Sequence, residues 1–140
     1  MKTRYSPLVK LKKSTMEKSE TVVQKASADL NSASTALTLS YNSLDDIQTP
    51  SSGSISELLA SRSLFHSQRE LIDKNKQWVF YAQGQVNLAR ERLKVDMIEY
   101  EKFKYLDYEE IKKILKERKI KEAKDLDEIA LMTYDKKGKK

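Results

Sequence analysis

Cysteine is absent from this chain of 140 residues. Disulfides, thiolate metal sites and thiol nucleophiles are excluded together. Glycine occurs 3 times and proline 2, whereas a sheet-and-loop fold needs turn residues about every ten positions. Long apolar runs are missing too. No segment approaches the roughly 20 apolar residues that cross a bilayer, and the longest uncharged stretch, Leu30 to Leu44, is broken by Ser, Thr and Asn. Met1-Lys2-Thr3-Arg4 leads into charged sequence rather than a signal-peptide core, so the expected location is cytoplasmic. A dominant charge sign is lacking as well. The net +6 comes from 27 basic and 21 acidic residues, with excesses of +2, +1 and +3 over residues 1–50, 51–100 and 101–140. That is a solvated mixed-charge surface and not a dedicated polyanion face.

What is present is a seven-residue apolar repeat. In the first half it runs through Val9, Met16, Val23, Leu30, Leu37 and Leu44. In the second it runs through Leu58, Phe65, Ile72, Val79, Val86, Leu93 and Tyr100. Only 39% of the chain is hydrophobic, so chance would fill one such track roughly once in several hundred tries. Sustained heptads mean coiled coil. Between the tracks, Gln48-Thr49-Pro50-Ser51-Ser52-Gly53 can reverse a chain but cannot remain helical. The expected fold is all-α: two long helices in an antiparallel coiled-coil hairpin, the second longer and overhanging at its C-terminal end.

Ser6 is a suitable cap and Pro7 a suitable first residue for a helix from about 7 to 47. The turn is expected at about 48–53. Ser54 and Glu57 form a capping-box pattern at the start of a second helix running from about 54 to 134. Residues 135–140 read as a basic tail, and the whole chain as a single hairpin domain. Small or polar residues lie between the large ones: Ser19, Ala26, Ala33 and Ser40 in helix one, and Ser61, Gln68, Asn75, Ala82 and Ala89 in helix two. Large side chains can pack over small ones, giving a thin core with close backbones. Setting Leu44 opposite Leu58 pairs each large residue with another, down to Val9 with Leu93. That alignment leaves about 40 residues from Val95 onward unpaired, roughly 60 Å of helix.

No constellation of catalytic residues is found. His66 is the sole histidine and has no second ligand or nucleophile at useful spacing. Acidic neighbours such as Glu109-Glu110 point apart on a helix. No phosphate-binding glycine loop is present, and no cofactor or metal is expected. Trp78-Val79-Phe80-Tyr81 cannot all face one seam, so Phe80 and Tyr81 point to solvent or a partner. Leu64, Leu71 and Trp78 form a row at seven-residue spacing, either a broadened core or a docking face. The overhang carries Tyr100, Phe103, Leu106, Ile111, Ile114 and Leu115 on a drifting stripe, then a basic run from Lys112 to Lys124. It is either a salt-bridged single helix or an arm that buries its stripe in another protein.

The chain opens with Tyr5-Ser6-Pro7-Leu8-Val9-Lys10-Leu11-Lys12-Lys13. It closes with Lys119-Ile120-Lys121-Glu122-Ala123-Lys124-Asp125-Leu126-Asp127-Glu128-Ile129-Ala130. In these segments, and in size and architecture over nearly its whole length, it resembles the FliJ family of the bacterial flagellar type III export apparatus. The counterparts in virulence secretion systems are more loosely similar. Asp127-Glu128-Ile129-Ala130 is the sharpest piece. The resemblance implies a non-enzymatic protein similar to the central stalk of rotary ATPases, inserted in the pore of a FliI-type export ATPase hexamer. It further implies contact with the FlhA-type export gate and with unladen export chaperones, and membrane association only peripherally, through the gate. Carried onto this sequence, the ATPase-facing residues would be Leu8, Leu11, Lys116, Arg118, Lys119, Lys121, Glu122 and Asp127. The gate- or partner-facing residues would be Tyr41, Leu64, Leu71, Trp78, Phe80 and Tyr81.

Two other classes compete. One is a generic coiled-coil chaperone or escort adaptor without a stalk role. The other is a basic coiled-coil nucleic-acid binder, motivated by a pI near 9.3. Basic zippers place their basic region before the heptads, whereas here it follows them, so no nucleic-acid partner is expected.

Overall fold

The computed structural model describes residues 2–48 and 53–138, with side chains through Tyr134. The turn residues Thr49-Pro50-Ser51-Ser52, Lys139 and Lys140 and the tail's remaining side chains lie outside the described residues. Two helices account for almost everything else: α1, Ser6–Asp46, of 41 residues, and α2, Ile55–Gly138, of 84 residues. No strand occurs among the described residues. The fold is the all-α antiparallel hairpin that the heptads predict. Its residues divide into two compact units, one of Met16–Asp96 and one of Met1–Thr15 with Met97–Lys140.

The cap of α1 differs from the sequence reading. Thr3, not Ser6, takes the capping position: its Oγ1 accepts from the Tyr5 amide at 3.1 Å, while Ser6 Oγ accepts from the Thr3 amide at 2.9 Å. This reciprocal pair satisfies two donors that a helix start leaves free. Ser6 thus sits in the first turn. At α2 the Glu57 amide donates to Ser54 Oγ at 3.3 Å, one of the two bonds of the capping pattern.

In the unit of Met16–Asp96 the seam is built on the small residues. Ser19, Ala26, Ala33 and Ser40 of α1 are buried, as are Ser61, Ile72, Ala82, Val86, Ala89 and Asp96 of α2. Val23 and Leu30 pack against the cluster of Ala26, Val86 and Ala89. Val86, at 1% exposure, is the fully buried large side chain of the core. Burying one such side chain contributes about 1.5–3 kcal/mol. The core is thin.

Polar contacts fix the register. Gln68 Nε2 donates to the Ser40 carbonyl at 2.8 Å, and Asn75 Nδ2 donates to the Ala36 carbonyl at 3.3 Å and to Ser40 Oγ. Ser19 Oγ donates to Asp96 Oδ2 at the far end of the unit, where Arg92 Nε lies 3.5 Å from the same oxygen. These contacts overturn the alignment of Leu44 with Leu58. α2 is shifted by about ten residues, roughly 15 Å of helix, and large residues now face small ones. In this register Val23 lies level with Ala89, Leu30 with Ala82, and Val86 with Ala26. Side-chain volume explains the choice. Large facing large would splay the helices and leave the two small rows facing a gap, whereas large over small fills each layer at close approach.

The second unit holds its own paired stretch. Thr3 Oγ1 and Ser6 Oγ donate to Asp107 Oδ1, the latter at 3.5 Å. Lys12 Nζ lies 3.6 Å from Glu99 Oε2 and 5.4 Å from the Phe103 ring centroid, and Arg4 comes to 3.9 Å from Glu110. Pairing therefore reaches Glu110, well past the Val95 limit that the sequence alignment set. It stops for a reason legible in the chain. Beyond Ile114 the seam-facing heptad positions become Glu117, Lys121, Lys124 and Glu128, which offer no apolar surface. From Leu115 to Tyr134 every side chain is exposed.

Candidate interaction surface

A hairpin of two helices buries its apolar seam and offers flanks and ends to partners. On α2, Val79 and Ala82 turn toward the seam, so Phe80, at 84% exposure, and Tyr81 project outward. Leu64, Leu71 and Trp78 stand exposed in one row along a flank of α2. Tyr41 is elsewhere. Its ring lies beneath Lys76, whose Nζ is 5.8 Å from the centroid. Residues two apart on a helix point about 200° apart, so Lys76 and Tyr41 occupy the flank opposite Trp78. The six residues expected to face a gate or partner are all exposed, yet they divide among two flanks and the outer face.

The residues expected to face an ATPase divide as well. Leu8 and Leu11 are exposed on the first turns of α1, where Lys12 meets Glu99 and Phe103. Lys116, Arg118, Lys119, Lys121, Glu122 and Asp127 are exposed farther along α2. At 1.5 Å per residue, Lys116 lies roughly 18 Å beyond the level of Leu8. One surface does not gather both groups. The second group shares its helix with exposed Leu115, Ile120, Leu126, Ile129, Leu131, Met132 and Tyr134, so the end of α2 carries apolar side chains among charges of both signs.

His66 is exposed, its Nε2 3.2 Å from Glu70 Oε1 one turn on. Among the described residues no three His, Asp or Glu side chains converge as metal ligands, and no helix is long and apolar enough to cross a membrane. Two seam carboxylates escaped the sequence reading. Asp96 continues the Ala82-Ala89 row and Asp107 the Leu93-Tyr100 row, both at seven-residue spacing. An acid in a heptad seam position was the available signal.

These features define an all-α helical hairpin. A family model described as Flagellar FliJ protein matches residues 1–139, and the chain belongs to that family. The family is one of flagellar export-apparatus components and not of known enzymes. No curated protein and no solved structure gives a significant match.

Proposed function

We propose that this chain works in the cytoplasm as a central-stalk-like coiled coil of flagellar type III export. In this reading it engages a FliI-type ATPase hexamer and connects it to the FlhA-type gate and to export chaperones, meeting the membrane only peripherally through the gate. The observation that carries it is the stretch Leu115–Tyr134 of α2: helical, exposed along its whole length, and lined with large apolar side chains among charges of both signs. A helix with no α1 beside it leaves its full circumference for a surrounding partner. A ring of subunits presents such an environment, and a one-sided groove does not.

The test is ATP hydrolysis by the cognate export ATPase, with and without this protein. The intact chain is expected to raise turnover or hexamer assembly, and charge reversal at Lys116, Lys119 and Lys121 to reduce that gain severalfold. No effect of the intact chain, with both proteins folded, removes the stalk role. A chaperone-escort reading without a stalk is favoured by the exposed row of Leu64, Leu71 and Trp78. It predicts that deleting residues 112–140 leaves partner binding intact.

A further inference from the structure

The two flanks of the Met16–Asp96 unit differ in chemistry. One carries the Leu64, Leu71 and Trp78 row; the other carries Arg62, Arg69, Lys76 and Arg90. These four cations share a single heptad position, with Gln83 filling the gap in the row. Antiparallel coiled coils ordinarily set acids of the facing helix against such a row. Here the α1 row at the same seven-residue spacing is Tyr41, Ser34, Ser27 and Glu20, a single acid at its far end that pairs with none of the four cations. The Lys76–Tyr41 contact fixes which flank of α1 meets the row.

Among the described residues none of the four cations has a carboxylate within ion-pair distance. Asp73 is the one acid on α2 spaced to reach Arg69 or Lys76, and it bonds neither. All four side chains are exposed. A surface hollow lined by Arg62, Phe65, His66 and Arg69 lies at the start of the row.

We infer that this flank is the docking strip for an acidic helix of a partner protein, laid lengthwise beside the hairpin as a third strand. Charge sets the sign of the partner, since a row of unneutralised cations is matched by carboxylates. Spacing sets its form. Cations seven residues apart repeat about every 10 Å, the interval at which a second helix presents its own heptad positions. Size sets the fit between Lys76 and Arg90, where Ser34 and Ser27 leave the α1 side of the groove shallow and let a third backbone approach. A second copy of this chain does not match, because its sequence contains no three acidic residues in succession at seven-residue spacing. Tyr41 is the only residue shared with the partner-facing positions proposed above, so this strip stands or falls apart from the stalk reading.

The test titrates the full-length protein with a synthetic helical peptide of about 28 residues, bearing glutamate at every seventh position beside an Ala/Leu face. A lysine version of the peptide and a single-stranded oligonucleotide serve as comparisons. The glutamate peptide is expected to bind, the lysine peptide not to. The triple variant Arg62→Glu, Arg69→Glu, Arg90→Glu is expected to weaken binding by about tenfold or more at low salt. A triple glutamine variant, expected to weaken it less, covers any loss of folding in the first, with helicity and melting read for both. Lys74→Glu, an exposed cation two residues from Lys76 and so on another face of α2, is expected to leave binding unchanged. Equal binding of the two peptides, an unchanged affinity in folded triple variants, or tighter binding of the oligonucleotide would each overturn the assignment.

Discussion

Single residues in this hairpin matter according to the volume and charge they bring to a narrow seam. Gly84 lies outside that seam, and a β-carbon added there would meet nothing within 4 Å. Gly84→Ala is therefore expected to stabilise the protein by about 0.5–1 kcal/mol, through helix propensity and a less flexible unfolded chain. A urea melt followed by circular dichroism reads it, and a lowered midpoint contradicts the placement of Gly84 on an open face. Asp96 is the opposite case. It is buried against Ser19, with Arg92 beside it. Asp96→Ala removes a hydrogen bond to a charged group and leaves the Ser19 hydroxyl to find a new partner, a loss of about 1.5–3 kcal/mol. Adding Ser19→Ala to it should cost little more, because the two changes delete one shared contact. Full additivity in the double variant would show that the pair does not meet.

At the scale of the helix, the rows of small residues decide how α1 and α2 meet. The heptads made both helices legible, and the capping box at Ser54 and Glu57 located the start of α2. The register was not legible from periodicity alone, because any shift that keeps the apolar tracks inside satisfies it. Volume broke the tie, through Ala26, Ala33, Ala82 and Ala89. The Thr3 cap was equally hidden, since part of what holds Thr3 is Asp107, which lies on the other helix. Ala33, fully buried, separates the two alignments. With large facing small, Ala33→Leu overpacks its layer and costs about 1–3 kcal/mol despite its added hydrophobicity. With large facing large it would fill a void and raise the melting temperature. Thermal denaturation distinguishes the two directions.

For the molecule as a whole, stability is distributed unevenly along α2. Backbone bonds near buried contacts open only with larger unfolding events, whereas exposed helix frays locally. Hydrogen exchange is expected to be slow around Ala26–Ser40 and Ile72–Ala89, and to quicken by orders of magnitude from Leu115 to Tyr134. Uniform protection across α2 would mean that the C-terminal stretch has a partner within the molecule. The candidate surfaces were legible in part. Exposure of Phe80 and Tyr81 followed from heptad position, whereas Trp78, beside the seam residue Val79, could equally have broadened the core. The separation of Tyr41 from Leu64 and Leu71 did not, because assigning a flank requires the register, and the register rests on contacts between residues far apart in sequence.

The seam repeats large over small every seven residues, about 10 Å of helix. Volume therefore opposes a slide by part of a repeat, but a slide by one whole heptad brings equivalent layers back together over all but the ends. The Asn75–Ser40 and Asp96–Ser19 contacts then serve as detents, setting the axial phase of a pair whose apolar surfaces alone would leave it free to slip.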